Sequence, residues 1–107
     1  MTDKTKRAIY AAALARYGAK LQFVVALEEM AELSKEIAKC LRENMEDPGA
    51  AARRPQIIEE IADVKNMLAQ VEYTFGVEAE VDKMVAFKLT RLASRMGIST
   101  KIAGRRV

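Results

Sequence analysis

Apolar residues recur at intervals of three and four along most of the chain, and no segment alternates polar and apolar residues for long enough to predict a strand. The pattern therefore predicts an all-α protein with four helices. These helices span residues 4–17, 20–43, 55–75 and 78–96. We expect Thr2 or Asp3 to cap the first helix and Gly18 to end it in the left-handed (αL) conformation. Pro55 suits the first position of the third helix, and Gly76 follows its last.

The two central helices each carry an apolar stripe. In the second helix the stripe consists of Phe23, Ala26, Leu27, Met30, Leu33, Ile37 and Leu41. In the third helix it consists of Ile57, Ile61, Val64, Leu68, Val71 and Phe75. The latter positions alternate in steps of four and three, which is typical of a helix that packs along another long helix. We expect the two stripes to pack antiparallel within a four-helix bundle.

Two more apolar faces extend this picture. The fourth helix presents Val81, Met84, Val85, Leu89 and Leu92. The second helix has a further apolar face at Leu21, Val24 and Val25, on a different side from its main stripe. A second apolar face on one helix indicates a partner subunit, so we expect a homo-oligomer.

Length and composition narrow the classes of protein. A chain of 107 residues and 11.9 kDa fits one domain, which we place at residues 1–97, followed by a short basic tail at 98–107. The chain contains no His, which excludes imidazole bases and metal sites that need a nitrogen ligand. Its single Cys40 excludes an internal disulfide. We find neither a signal segment nor a membrane span, and we expect a cytoplasmic protein.

Acidic residues repeat with the same spacing in the two central helices. Glu29 and Glu32 lie three positions apart in the second helix, and Glu60 and Asp63 lie three positions apart in the third. Residues at this spacing share a helix face. Each pair borders the apolar stripe of its helix, so antiparallel packing would bring four carboxylates together at the edge of the seam.

Four neighbouring carboxylates repel one another, and a bound cation relieves that repulsion. A site made only of carboxylates selects a hard ion, Mg²⁺ first and Mn²⁺ second. Because Mg²⁺ keeps several waters and binds substrate phosphates, this arrangement indicates phosphate chemistry. The alternative is a solvated acidic face in which Glu32 pairs with Lys35 and Glu36 with Lys39. We expect Glu36, like Glu28 and Glu59, to face water.

Lys88 falls within the apolar stripe of the fourth helix, and Arg91 lies toward the same side. A buried lysine needs an anion, which the carboxylates or a bound phosphate would supply. The alternative is that the alkyl chain of Lys88 covers apolar surface while its ammonium reaches water. Lys83 lies on the outer face and is a weaker candidate. The segment 44–54 is either a solvated linker or a lid that brings Arg53 or Arg54 to phosphates.

The acidic motifs resemble those of the MazG-like, all-α nucleoside triphosphate pyrophosphohydrolases. The family signature is EExxE followed by ExxD, and this chain has Glu28-Glu29-x-x-Glu32 and Glu60-x-x-Asp63, with 27 residues between them. The surrounding segments LEEMAELSKEIAK and IIEEIADVKNML are also similar to small single-domain members. The resemblance covers about residues 18–96.

The resemblance implies Mg²⁺-dependent hydrolysis of a ribo- or deoxyribonucleoside triphosphate to the monophosphate and pyrophosphate. It implies that Glu29, Glu32, Glu60 and Asp63 hold the metal and serve catalysis. It further implies that Lys88 and Arg91, in the last helix, contact phosphates, with the protein assembled as a homodimer or homotetramer. Two departures stand out: Phe87 and Leu92 occupy the positions where many members have Asn after a Lys, and the Trp that some relatives use near the base is absent.

Other functions stay open at this point. A phosphoribosyl-ATP pyrophosphohydrolase uses similar acidic helices. A non-enzymatic helical adaptor, or a bundle whose basic tail residues Lys101, Arg105 and Arg106 contact nucleic acid, is the rival class. The acidic central helices disfavour nucleic acid near their surface. The sequence leaves the nucleobase, the sugar and the general base open.

Overall fold

The computed structural model describes residues 1–42, 53–102 and 105–106, and these form four helices. The helices are α1 (Asp3–Tyr17), α2 (Ala19–Arg42), α3 (Arg54–Phe75) and α4 (Glu78–Arg95). A minimal antiparallel ladder pairs β1 (Lys101–Ile102) with β2 (Arg105–Arg106). The predicted all-α class is confirmed, and the described helix ends fall within one residue of their predicted positions. The predicted end of the second helix at Glu43 and the segment 44–52 lie outside the described residues.

Local chemistry explains where three helices begin or end. The side chain of Thr2 accepts a hydrogen bond from the Thr5 backbone N–H at 3.1 Å, so Thr2 rather than Asp3 caps α1. Gly76 ends α3 in the αL conformation, with φ 67° and ψ 34°. Gly18 also has a positive φ of 80°, but its ψ is 155°, so the predicted αL conformation is wrong there. Since α2 begins at the next residue, the backbone turns at Gly18 with an extended ψ.

The chain divides into two compact units, Met1–Gly76 and Val77–Val107. In the first unit α2 and α3 pack extensively on each other, and α1 packs on both. The rings of Phe23 and Phe75 stack with centroids 5.3 Å apart, and those of Tyr10 and Tyr73 lie 6.1 Å apart at a tilt. The second unit contains α4 and the short ladder. The single domain at residues 1–97 stays a prediction.

The face of α2 that packs on α3 coincides only in part with the predicted stripe. The buried and half-buried positions of α2 include a row in alternating steps of four and three, which consists of Gln22, Ala26, Glu29, Leu33, Glu36 and Cys40. We call this row the α2 seam. Of the predicted stripe, Phe23, Ala26 and Leu33 are buried or half-buried, whereas Leu27 is 65% and Leu41 is 78% exposed, and Met30 and Ile37 are also exposed. The prediction is therefore correct for part of the stripe only, because the apolar residues of α2 cover a wide arc and α3 covers one edge of it.

Helix α3 shows the same offset. Its half-buried positions include Glu60, Asp63, Met67, Gln70 and Thr74, again in steps of four and three. Of the predicted stripe, Ile57, Val64 and Val71 are half-buried, whereas Ile61, Leu68 and Phe75 are exposed. The contact between α2 and α3 is therefore rich in polar side chains, and much of each apolar stripe lies uncovered beside it.

The apolar stripe predicted for the fourth helix is also largely exposed. Met84, Val85, Leu89 and Leu92 of α4 are exposed, while Val81 is half-buried. None of the described helices is both long enough and apolar enough to cross a membrane.

Candidate metal centre

The α2 seam brings carboxylates of α2 and α3 together. Glu29 faces Glu60 and Asp63, while Gln22 bonds to Gln70 further along both helices. From Glu29 to Gln22 the residue numbers fall along α2, whereas from Asp63 to Gln70 they rise along α3. The two helices are therefore antiparallel. Because Glu60 and Asp63 are three residues apart, they present their side chains on the same face of α3.

Three carboxylates form the centre. One oxygen from each of Glu29, Glu60 and Asp63 lies within 4.8 Å of the others, and all three residues are half-buried. We call these three residues the carboxylate cluster. The predicted convergence of the two acidic pairs is therefore seen for three of its four members.

Partial burial and neighbouring carboxylates raise the pKa values of Glu29 and Glu60 in the cluster. Partial burial raises the pKa of Glu29 above its usual value, and the charge of Asp63 together with a hydrogen bond to its side chain adds to the shift. Partial burial likewise raises the pKa of Glu60, with the charges of Asp63, Glu32 and Glu29 adding to it. Both pKa values are raised, as expected for like charges that are close together and partly removed from water.

Glu32 lies beside the cluster but is not one of the three. Its side chain is exposed, one helical turn beyond Glu29. Its negative charge still raises the pKa of both Glu29 and Glu60, so it acts on the same electrostatic environment. Its assignment as a metal ligand stays a prediction.

Glu36 was expected to face water, and that expectation is wrong. Glu36 is 8% exposed and accepts a hydrogen bond at 3.0 Å from the Arg53 guanidinium, which lies at the start of α3. Lys39 contributes a second ion pair at 3.8 Å, as its spacing predicted. Burial is tolerated because two cations compensate the charge. By contrast, Glu28 and Glu59 are exposed, as expected.

The predicted phosphate contacts lie in the second unit. Lys88 and Arg91 are both exposed on α4, and the Arg91 guanidinium lies 5.9 Å from the ring centroid of Phe87. Lys88 is therefore not a buried lysine that requires an anion, and its exposure agrees with the alternative in which its ammonium reaches water. Lys88 is not buried because its apolar neighbours on α4 are themselves exposed. A role of either residue toward phosphate stays a prediction.

The sequence pattern did not single out two further polar residues, Gln22 in the α2 seam and Gln70 on the facing side of α3. Gln22 and Gln70 hydrogen-bond to each other at 2.9 Å, and Gln22 is 4% exposed. Each lies seven positions from a cluster carboxylate on its own helix, Gln22 from Glu29 and Gln70 from Asp63. Seven positions are about two helical turns, so each glutamine lies on the same helix face as a cluster carboxylate. That spacing could have identified both glutamines from the sequence.

The donor set of the cluster fits a hard divalent cation. It offers only carboxylate oxygens, which lie within 4.8 Å of one another, and an all-oxygen donor set is the kind that hard cations bind. No protein-family model, curated protein or solved structure matches this chain.

Proposed function

We propose that this protein is a divalent-metal-dependent nucleoside triphosphate pyrophosphohydrolase of the MazG-like type. The observation that carries the proposal is the convergence of Glu29, Glu60 and Asp63 from the two acidic motifs. A solvated acidic face has no need to hold three carboxylates half-buried and close together. The proposal places the enzyme in the cytoplasm, where nucleoside triphosphates are found.

The carboxylate cluster would hold a hard ion, Mg²⁺ first and Mn²⁺ second, because all its ligand atoms are oxygens. When bound, the ion engages the triphosphate and lowers the pKa of the attacking water. The negative charges of the three carboxylates repel one another, and a bound cation would relieve that repulsion. Glu32, with its exposed carboxylate one turn from Glu29, would serve as the fourth ligand.

The reaction forms one bond and breaks another. Water attacks the α-phosphorus, a carboxylate of the set accepts the proton, and the bond between the α- and β-phosphates breaks. Pyrophosphate and the nucleoside monophosphate are the products. The cations of Lys88 and Arg91 serve to neutralise phosphate charge.

Pyrophosphate release from a panel of the common ribo- and deoxyribonucleoside triphosphates tests the proposal. We expect release with Mg²⁺, weaker release with Mn²⁺, and none with EDTA. Glu60→Gln and Asp63→Asn should abolish release while the helical circular dichroism is retained. Glu59→Gln, at an exposed position next to the cluster, is the matched control and should retain activity.

Full turnover by the Glu60→Gln and Asp63→Asn variants would contradict the proposed site. Phosphoribosyl-ATP belongs in the same panel, because its hydrolysis in place of the nucleoside triphosphates would identify the related enzyme of the same chemistry. Steep loss of nucleic-acid affinity with salt, without any pyrophosphate release, would favour the non-enzymatic bundle.

We further propose that the protein is a homodimer or homotetramer. Ala26 is the one buried apolar residue among the positions whose burial is described, residues 1–42 and 53–100. The partner face expected at Leu21, Val24 and Val25 stays a prediction; in the single chain Leu21 and Val24 are exposed and Val25 is half-buried. Leu27, Ile37 and Leu41 form a second exposed apolar row, on one flank of the α2 seam. A chain that leaves so many large apolar side chains in water is expected to cover them with a second copy.

A further inference from the structure

We infer that the ion pair between Glu36 and Arg53 positions the carboxylate cluster, because it fixes the register in which α2 and α3 pack. Glu36 is 8% exposed, and both of its carboxylate oxygens are engaged. Its Oε1 accepts a hydrogen bond from the Arg53 guanidinium at 3.0 Å, and its Oε2 lies 3.8 Å from the ammonium of Lys39. Lys39 lies on α2 like Glu36, so of these two interactions only the one with Arg53 joins the two helices.

The ion pair lies at a matched distance from the carboxylate cluster on both helices. Glu36 follows Glu29 by seven positions, and Arg53 precedes Glu60 by seven positions. Seven residues are about two helical turns, or about 10 Å of helix. Because α2 and α3 are antiparallel, these two offsets run in the same direction along the seam. A bond between Glu36 and Arg53 therefore holds Glu29 level with Glu60.

A second bridge lies on the other side of the cluster with the same spacing. Gln22 precedes Glu29 by seven positions, and Gln70 follows Asp63 by seven positions. The two side-chain amides hydrogen-bond at 2.9 Å, and Gln22 is 4% exposed. This bridge holds Glu29 level with Asp63. The carboxylate cluster thus lies between two polar bridges, one ionic and one neutral.

The ionic bridge restricts the packing of the helices more than the neutral one does. Apolar burial is non-directional, and it is slight here, since Ala26 is the one buried apolar residue among the positions whose burial is described. Sliding one helix by a single turn, ~5.4 Å, would separate Glu36 from Arg53 and leave a buried carboxylate without its partner from α3. An unpaired buried charge is more unfavourable than an unpaired amide. The ion pair therefore selects one register among those that apolar packing would allow.

The pair acts on the cluster through the helices and not through its charge. Besides partial burial, the charges of neighbouring acids raise the pKa values of Glu29 and Glu60, and neither Glu36 nor Arg53 contributes to either shift. The two side chains bind each other about two turns away from the cluster. Glu36 and Arg53 are therefore positioning residues. The inference rests on the proposed function for the role of the cluster as a metal site.

Removing both charges at once separates register from stability. The double variant Glu36→Leu with Arg53→Leu leaves no unpaired charge of this pair, so its thermal stability should stay close to that of the parent protein. It should nevertheless bind Mg²⁺ about 10- to 100-fold more weakly in calorimetry, as expected when residues that orient metal ligands are lost. Arg53→Lys keeps a cation opposite Glu36 and should retain most of the affinity. Arg42→Leu, at an exposed arginine of α2, is the matched control and should bind Mg²⁺ like the parent protein.

Spin labels measure the register directly and without metal. The labels are attached at exposed positions of α2 and α3 through Lys20→Cys and Gln56→Cys, in a Cys40→Ser background. Labelled chains are diluted into unlabelled protein, so that pulsed electron paramagnetic resonance in EDTA reports distances within one chain. We expect one narrow distance for the parent protein and for Arg53→Lys. The double variant should show a broadened distance, or one that is shifted because a helix has slid along its neighbour.

The outcomes also separate this inference from the proposed function. A changed distance together with weaker Mg²⁺ binding in a folded double variant supports the inference. An unchanged distance overturns it whatever the Mg²⁺ affinity, and so does a parent-like Mg²⁺ affinity at a changed distance. An unfolded double variant overturns it too, because the pair would then be needed for stability itself. If the parent protein binds no Mg²⁺, the proposed function fails, and the distance alone decides whether the ion pair fixes the register.

Discussion

The half-buried carboxylates of Glu29, Glu60 and Asp63 oppose folding of the metal-free chain, since their charges repel and are partly removed from water. Glu36 lies in the same α2 seam, but its negative charge is compensated by cations. It is paired with Arg53 and Lys39. No pair of this kind is seen at the cluster among the described residues. At the residue scale, this contrast between compensated and uncompensated acids distinguishes the candidate centre from a structural ion pair.

The raised pKa values of Glu29 and Glu60 predict how the stability of the metal-free protein depends on pH. The folded state binds protons more tightly than the unfolded state at these groups. The free energy of unfolding should therefore fall as the pH rises from the ordinary glutamate pKa of 4.5 through the raised value, and stay reduced above it. Glu29→Gln should be more stable than the parent protein at neutral pH, with the difference vanishing at low pH.

Urea unfolding in EDTA at a series of pH values measures this effect. Glu80→Gln, at an exposed position whose charge is not among those that raise the pKa of Glu29 or Glu60, is the control. Addition of Mg²⁺ should stabilise the parent protein more than Glu29→Gln, because a ligand that binds only the folded state raises its stability. Equal stability of the parent and Glu29→Gln at neutral pH in EDTA would show that the cluster carries no electrostatic strain.

At the scale of the elements, the turn between α3 and the next unit depends on Gly76. Its φ of 67° lies in the left-handed region, and its N–H bonds to the carbonyls of Glu72 and Tyr73. An added Cβ would meet no atom within 4 Å, so the penalty of a substitution is that of the backbone alone. Gly76→Ala should lower the free energy of unfolding by about 1–2 kcal/mol.

Gly76→Asn provides the comparison, because Asn tolerates the αL conformation better than Ala. Chemical denaturation should therefore rank the parent protein above Gly76→Asn, and Gly76→Asn above Gly76→Ala. Identical midpoints for all three proteins would mean that the left-handed turn is not needed for the stability of α3.

At the scale of the whole molecule, the exposed apolar row on α2 predicts self-association. Leu27→Glu alters a side chain that is 65% exposed, so the isolated chain loses little by the change. If a second copy covers this row, the charge is buried at the interface and the assembly should dissociate. Light scattering coupled to gel filtration should show a dimer or tetramer for the parent protein and a monomer for Leu27→Glu.

Lys35→Glu is the matched control for this experiment. Lys35 is exposed on the opposite flank of the α2 seam, on the same side as Val24, so its charge reversal should leave an assembly through Leu27, Ile37 and Leu41 intact. The thermal midpoint of the parent protein should also rise with protein concentration. A parent protein that is monomeric at all concentrations would contradict the predicted oligomer.

The sequence by itself determined the helices and the motif pairs. Periodicity, the cap at Thr2 and the glycine at Gly76 act within a few residues, so they could be located without tertiary structure. The spacing of Glu60 and Asp63 placed both on one helix face for the same reason. These are local properties, because a helix turn is set by neighbours in the chain.

Only the tertiary structure decided which edge of each helix is covered. The apolar arc of α2 is wider than the surface that α3 offers, so periodicity alone could not distinguish the true seam from the stripe beside it. That choice buried Glu36, left Leu27 in water and placed Gln22 against Gln70. Side chains far apart in sequence meet only through packing, and for that reason the bridges from Gln22 to Gln70 and from Glu36 to Arg53 could be found only in the folded chain.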